Sequence, residues 1–285
     1  INIYELDRMV KKLHENYKKI IEKDENSRIV SEKLGYLPIY YINLDRSKDR
    51  RNFMEEQIQF YKIPNVTRIE GVDGSKIKDT SGDTILFTDD ESLSFTNNFN
   101  PKSFNKGELG CTLSHIKAIR KAYKNGDNMA IIMEDDTSFG LVPFWKENLK
   151  KIIENAPKDW NIITLYSKNC QNKKNKFIHI REKYCVSASI YVINREGMEN
   201  ILKNLKNKVF HLDRFKAKKL NADFAIYNLA KNTYQYTIPI FFTYNNKEEL
   251  DSNIHVRHTD GHIENALKNI KKFNRKNGIL EEIEK

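Results

Sequence analysis

Three consecutive carboxylates, Glu134, Asp135 and Asp136, directly follow an apolar run at residues 129–133. Adjacent carboxylates repel one another, and removing them from water is costly without a nearby positive charge. A divalent cation offsets both effects, and a set of oxygen ligands suits Mg²⁺ or Mn²⁺. In an extended chain Glu134 and Asp136 point the same way, so we predict that they bind one metal–diphosphate complex while Asp135 points elsewhere. The alternative is an acidic triplet that is merely solvated at the surface.

The run at residues 129–133 shows no polar alternation, which is typical of a strand covered on both faces in a parallel sheet. Helical stripes alternate with further strand-like runs, at residues 39–42, 66–69, 162–165, 186–193 and 234–242. This order predicts an α/β domain with a mainly parallel central sheet flanked by helices. Ligands of such sheets bind beyond the carboxyl ends of the strands, where the acidic triplet stands.

The chain has 285 residues and a formal net charge of +10. This charge reflects either a lysine-rich solvated surface or attraction of an anion. No zinc motif and no basic stripe with interleaved aromatics is present, so we expect no nucleic-acid partner. The cysteines, Cys111, Cys170 and Cys185, are odd in number and lack CxxC spacing, which argues against a disulfide framework or a cysteine zinc site.

Both ends of the chain read as helices outside the main domain. Residues 1–36 predict a helical extension whose heptad-like seam either pairs two chains into a homodimer or packs on its own domain. Residues 37–262 form the predicted catalytic domain, and residues 263–285 predict an amphipathic helix. No apolar run reaches the roughly 18 residues of a membrane span, and no signal-like segment opens the chain. A cytoplasmic location is therefore the default expectation, with viral and lumenal settings as alternatives.

Six segments in fixed order carry a resemblance to a known family. The most distinctive is GELGCTLSH at residues 107–115. The others are NLDRSKDRR at 43–51, GVDG at 71–74, IIMEDD at 131–136, SIYVINREG at 189–197 and NAD at 221–223. Together they resemble glycosyltransferase family 25.

The resemblance implies a GT-A-type nucleotide-diphospho-sugar transferase fold, a UDP-sugar donor (usually UDP-galactose), Mn²⁺ dependence and inversion at the anomeric carbon. Mg²⁺ is the alternative metal. The expected reaction moves galactose to a hydroxyl of collagen hydroxylysine or of a glycan. Two alternatives stay open: a UDP-glucose-dependent enzyme of the same fold, and a non-catalytic transferase-like binding module.

The family motifs also indicate candidate donor contacts. Arginine forks after the first strand suit phosphate or uracil, although salt bridges on the first helix are the alternative for Arg50 and Arg51. His115 is expected either to contact the diphosphate or sugar, or to be a buried structural histidine. The complete predicted donor set is Asn43, Leu44, Arg46, Arg50, Asp73, Ser114, His115, Glu134 and Asp135.

Inverting transfer requires a carboxylate that accepts the proton of the attacking hydroxyl. We predict Asp223 for this role and Asp213 as the second candidate; the alternative for Asp223 is a capping role on the helix at residues 222–230. His255 and His258 are candidates to complete the metal shell with Glu134 and Asp136, the alternative being solvated loop histidines.

Overall fold

The structure is a computed structural model that describes residues 29–77, 94–96, 106–166, 175–180, 187–203, 205–206, 209–211, 221–238 and 240–243. The predicted helices at residues 1–26 and 263–285 lie outside these ranges, as do Asp213, His255 and His258. The domain limits, the homodimer and the roles of those three residues therefore stay predictions. Within the described ranges, no helix is both long and apolar enough to cross a bilayer.

A seven-stranded sheet forms the centre of the described chain. In spatial order its strands are β2 (Val66–Glu70), β1 (Ile39–Asn43), β4 (Met129–Glu134), β8 (Ile190–Asn194), β6 (Ile162–Thr164), β11 (Thr233–Tyr236) and β7 (Phe177–His179). Two small ladders join β3 (Ser94–Thr96) to β10 (Val209–His211) and β9 (Leu205–Lys206), and β5 (Thr137–Ser138) to β12 (Phe242–Thr243).

The sheet is mixed, so the α/β class is confirmed but the prediction of a mainly parallel sheet is wrong. Strand β1 runs parallel to β2 and β4, and β6 runs parallel to β11. Strand β8 runs antiparallel to both of its neighbours, β4 and β6, and β7 runs antiparallel to β11. The apolar run of β4 did indicate two covered faces, but burial on both faces does not determine the direction of the neighbouring strand.

Helices cover both faces of the sheet and enclose two cores. One core contains residues of α1 (Ile29–Lys33), α2 (Lys48–Phe60) and α4 (Leu149–Glu154). The other contains residues of α3 (Lys106–Lys124), α5 (Arg195–Leu202) and α6 (Ala222–Ala230). Alternate side chains of β4 enter the two cores, Ile131 and Met133 in the first and Ala130 and Ile132 in the second. The four central residues of β4 are thus buried, and the acidic triplet begins where the strand leaves the sheet.

Two glycines let the first turns of α3 lie directly against the segment after β2. A Cβ atom on Gly110 would stand 2.6 Å from the carbonyl oxygen of Val72 and 2.8 Å from the nitrogen of Gly74. A Cβ atom on Gly74 would stand 2.1 Å from the carbonyl oxygen of Lys106. No side chain fits at either position. The close approach brings the start of α3 to the ends of β1 and β2, where the candidate site lies.

Candidate active site

A cavity of about 330 Å³ lies at the carboxyl ends of β1 and β4. The loop after β1, the segment after β2, the first turns of α3 and the acidic triplet line it. Asn43 and His115 are not among its lining residues and are 1% and 0% exposed, so they support the site from behind. The other predicted donor or metal residues within the described ranges all line the cavity: Leu44, Arg46, Arg50, Asp73, Ser114, Glu134, Asp135 and Asp136.

Arg50 of α2 binds two of the three carboxylates. Its Nη1 donates to Asp135 Oδ1 at 2.7 Å and its Nη2 donates to Asp136 Oδ2 at 2.9 Å. Burial lowers the pKa of Arg50, but the charges of Asp136, Asp135 and Glu134 outweigh this and raise it above its ordinary value. The guanidinium therefore stays charged and neutralises much of the repulsion within the triplet. The sequence alternative for Arg50 was a salt bridge along its own helix, whereas the bridge runs to the triplet. Its contact with the donor stays a prediction.

Asp135 differs from its neighbours, because both of its carboxylate oxygens accept hydrogen bonds. Besides Arg50, the Nδ2 of Asn43 donates to Asp135 Oδ2 at 2.7 Å. The Oδ1 of Asn43 in turn accepts from Arg68 Nε at 3.0 Å, so the amide lies between a cation and a carboxylate. Asp135 is 5% exposed. This arrangement indicates that Asn43 and Asp135 position the end of β4.

Asp136 keeps one oxygen without a protein donor. Its Oδ1 is buried and has no hydrogen-bond partner among the described residues. Burial raises the pKa of Asp136, Arg50 opposes this, and the charges of Glu134 and Asp135 add to it, so the pKa lies at about 7. A buried acceptor without a donor is unfavourable, and a divalent cation that prefers oxygen ligands would satisfy it. The residues present therefore fit Mn²⁺ or Mg²⁺ at this position.

Glu134 is held by two residues of α3. Its Oε1 accepts from His115 Nε2 at 3.5 Å and from the thiol of Cys111 at 3.6 Å. Burial raises the pKa of Glu134, but the hydrogen bond from His115, together with the charge of Arg50, holds it at about 2. Burial and the negative charge of Glu134 raise the pKa of the Cys111 thiol. Glu134 is therefore a carboxylate at neutral pH, and Cys111 is a thiol when no cation is near.

His115 contacts protein groups on both sides of its ring. Its Nδ1 lies 3.1 Å from the hydroxyl oxygen of Tyr191, a fully buried residue of β8. With the Nε2 proton directed at Glu134, Nδ1 accepts a hydrogen bond from that hydroxyl. His115 is therefore buried and hydrogen-bonded, and its contact with the diphosphate or sugar stays a prediction.

Arg46, Asp73 and Ser114 also line the cavity. Arg46 Nε donates to Asp73 Oδ2 at 2.9 Å, and the other oxygen of Asp73 accepts from the backbone and hydroxyl of Ser75. Partial burial raises the pKa of Asp73, but the hydrogen bonds from Ser75 and Arg46 lower it below its usual value. The hydroxyl of Ser114 accepts from Val72 N and donates to Gly110 O, which ties α3 to the segment after β2.

Asp223 is the second residue of α6, and Asn221 occupies the N-cap position. The capping alternative for Asp223 therefore does not describe its place in the helix. Asp223 does not line the cavity, but its helix packs against α3, which carries Cys111.

Three further residues of the site carried no prediction: Arg68, Cys111 and Tyr191. Cys111 and His115 are four residues apart, a spacing that places them on one face of a helix, and this signal was available in the sequence. Tyr191 and Arg68 lie at the site because their strands pair with strands far away in the sequence. A short sequence pattern cannot indicate such pairing.

Residues 36–216 match the family described as Glycosyltransferase family 25 (LPS biosynthesis protein). The chain belongs to glycosyltransferase family 25. The resemblance seen in its motifs is thereby confirmed.

Curated relatives of this family 25 chain include procollagen galactosyltransferase 2 of Homo sapiens, 27% identical over 65% of this chain and 30% of the relative. A glycosyltransferase 25 family member of Anopheles gambiae is 27% identical over 64% of this chain and 32% of its own length. A putative glycosyltransferase of Acanthamoeba polyphaga mimivirus is 34% identical over 41% of this chain and 33% of its own length. The chain thus matches about a third of each of these relatives.

Proposed function

We propose that this chain is a metal-dependent, inverting transferase of GT-A type that moves galactose from UDP-galactose to a hydroxyl of collagen hydroxylysine or of a glycan. Family membership and the names of the procollagen galactosyltransferase relatives support the reaction class. The observation that carries the proposal is the buried Asp136 oxygen without a donor, which lies in a cavity at the carboxyl end of β4.

Glu134 and Asp136 are the proposed metal ligands, with His255 and His258 as candidates to complete the set. When bound, Mn²⁺ or Mg²⁺ supplies Lewis-acid stabilisation of the charge that develops on the leaving diphosphate. Arg50 keeps the carboxylates close together against their repulsion. Arg46, which is 53% exposed at the cavity, is the proposed phosphate or uracil contact of the donor.

Asp223 is the proposed general base, and Asp213 is the second candidate. As the acceptor oxygen forms its bond to the anomeric carbon, the bond from that carbon to the UDP oxygen breaks and the hydroxyl proton passes to the carboxylate. The packing of α6 against α3, whose Cys111 contacts Glu134, supports this assignment.

The test measures UDP release from UDP-galactose and from UDP-glucose, with Mn²⁺ or with EDTA, and then with a collagen peptide added as acceptor. We expect Mn²⁺-dependent release that prefers UDP-galactose. Asp136→Ala should lower it by at least about 100-fold, because a metal ligand and its charge are lost. A preference for UDP-glucose would instead identify UDP-glucose as the donor and the enzyme as a glucosyltransferase.

The control is Glu154→Ala, which removes an exposed carboxylate of α4 that does not line the cavity. It should retain the wild-type rate. Absence of release in wild type, together with no Mn²⁺-dependent UDP binding by calorimetry, would contradict the transferase and favour a non-catalytic binding module.

A further inference from the structure

Three different ligand atoms lie close together beside the cavity, on Cys111, His115 and Glu134. The sulfur, the imidazole nitrogen and the carboxylate oxygen all lie within 4.8 Å of one another. Cys111 and Glu134 line the cavity, while His115 is fully buried behind them. A site with one cysteine does not need CxxC spacing, so the lack of that spacing in this chain does not exclude it.

Two of the three distances between these atoms match tetrahedral zinc coordination. Zinc bonds of about 2.3 Å to sulfur and about 2.1 Å to nitrogen or oxygen, at tetrahedral angles, separate sulfur from oxygen by about 3.6 Å and nitrogen from oxygen by about 3.4 Å. The observed separations from Glu134 Oε1 are 3.6 Å to Cys111 Sγ and 3.5 Å to His115 Nε2. The Glu134 oxygen therefore lies at ligand–ligand distances of a zinc site from the other two atoms, which themselves lie within 4.8 Å of each other.

The second nitrogen of His115 is an independent indication. Metal-binding histidines almost always direct their other ring nitrogen to a fixed oxygen partner, which sets the tautomer and the ring orientation. Here Nδ1 lies 3.1 Å from the hydroxyl of Tyr191, and the two rings stack with centroids 5.7 Å apart. Once Nε2 binds an ion, Nδ1 can donate its proton to that hydroxyl.

We propose that Cys111, His115 and Glu134 form a binding site for a borderline divalent ion, with Zn²⁺ the best match, and that its fourth coordination position faces the cavity. Sulfur and nitrogen ligands favour Zn²⁺ over Mn²⁺ by the general order of divalent affinities. This site thus differs in chemistry from the all-oxygen site proposed for Mn²⁺.

Glu134 belongs to both ligand sets, so the two ions compete for it. Zn²⁺ at this site removes a ligand from the Mn²⁺ pair and should inhibit Mn²⁺-supported UDP release. Cys111→Ser should make that inhibition at least about 10-fold less sensitive to Zn²⁺. This consequence rests on the proposed function, whereas metal binding itself does not.

The test of binding titrates Co²⁺, a spectroscopic substitute for Zn²⁺, into the metal-free full chain. We expect one equivalent of Co²⁺ to produce a thiolate charge-transfer band in the near ultraviolet and intense visible bands of four-coordinate cobalt. Zn²⁺ should then remove both. Cys111→Ser should abolish the near-ultraviolet band, and Tyr191→Phe should keep it while weakening affinity by about 10- to 100-fold.

The matched control is the double variant Cys170→Ser and Cys185→Ser, which leaves Cys111 as the one cysteine of the chain and should keep the full signal. Circular dichroism verifies that each variant is folded. Absence of the thiolate band in wild type overturns the proposal whatever the variants do, as does a band that persists in Cys111→Ser. Because no donor sugar is present, neither result depends on transferase activity.

Discussion

At the scale of single residues, Arg50 is the group on which the triplet depends. Its two terminal nitrogens bind two adjacent carboxylates, and its side chain is only 13% exposed. Removing one partner of a buried ion pair leaves an uncompensated charge, which is more destabilising than the pair is stabilising. Arg50 therefore contributes to the fold as well as to the site.

Arg50→Ala should lower the free energy of unfolding by about 3 kcal/mol, since Asp135 and Asp136 would lose their counter-charge. Urea denaturation followed by circular dichroism measures this. Arg51→Ala is the matched control, because the adjacent arginine pairs with Glu55 at the surface, where solvent screens the interaction. Equal losses in the two variants would contradict a special role for Arg50.

At the scale of elements, α3 carries Cys111, Ser114 and His115 to the site, and its position depends on contact between glycines. The helix cannot move away from the segment after β2 without displacing the residues that hold Glu134. The close contact of Gly110 with the segment after β2 thus helps to fix the positions of Cys111 and His115, which follow it in the same helix.

Gly110→Ala should destabilise the protein by about 1–3 kcal/mol, because the new methyl group overlaps backbone atoms that have no free space around them. It should also weaken Co²⁺ binding through displacement of Cys111 and His115. Thermal unfolding and the cobalt titration measure the two effects. Lys121→Ala, an exposed change in the same helix, should shift stability by no more than about 0.5 kcal/mol. A Gly110→Ala protein as stable as the Lys121→Ala protein would contradict the close-packing argument.

The elements also show what the sequence could predict. Apolar runs located β1, β2, β4, β6 and β8, since burial on both faces leaves a local signature. The run at residues 234–242 predicted one strand, whereas β11 ends at Tyr236 and β12 begins at Phe242. The order and direction of the strands could not be predicted from the sequence, because they depend on pairing between residues far apart in the chain. For the same reason the triplet was predictable from its place after β4, but its contact with Arg50 required knowing how α2 lies over the sheet.

At the scale of the whole molecule, large polar aromatics fill much of both cores. Tyr40, Tyr166 and Tyr236 are each at most 3% exposed, and burial raises the pKa of each to about 12. In the unfolded chain the same phenols titrate near pH 10. The folded state therefore retains protons that the unfolded state loses between these values.

Stability should consequently be unaffected by these tyrosines below about pH 10 and should fall as the pH rises from about 10 to 12, by up to about 1.4 kcal/mol per pH unit for each residue. Urea unfolding at a series of alkaline pH values measures the slope. Tyr40→Phe should make the slope shallower, although it also removes the hydrogen bonds with Asp127 and Asn125 and so lowers the stability at neutral pH. An unchanged slope in that variant would contradict the assignment of Tyr40.

The antiparallel placement of β8 has a consequence for the order in which the protein assembles. Strand β4 pairs on one side with β1, which precedes it in the chain, but its other side pairs with residues 190–194, which follow it. During synthesis β1, β2 and β4 can associate while the second side of β4 is still an open, apolar edge, and such edges are prone to pair with other chains. The ribosome must deliver about 60 further residues before β8 covers it. Strand β4, which leads into the acidic triplet, is therefore a segment of the nascent chain that needs protection until β8 has been made.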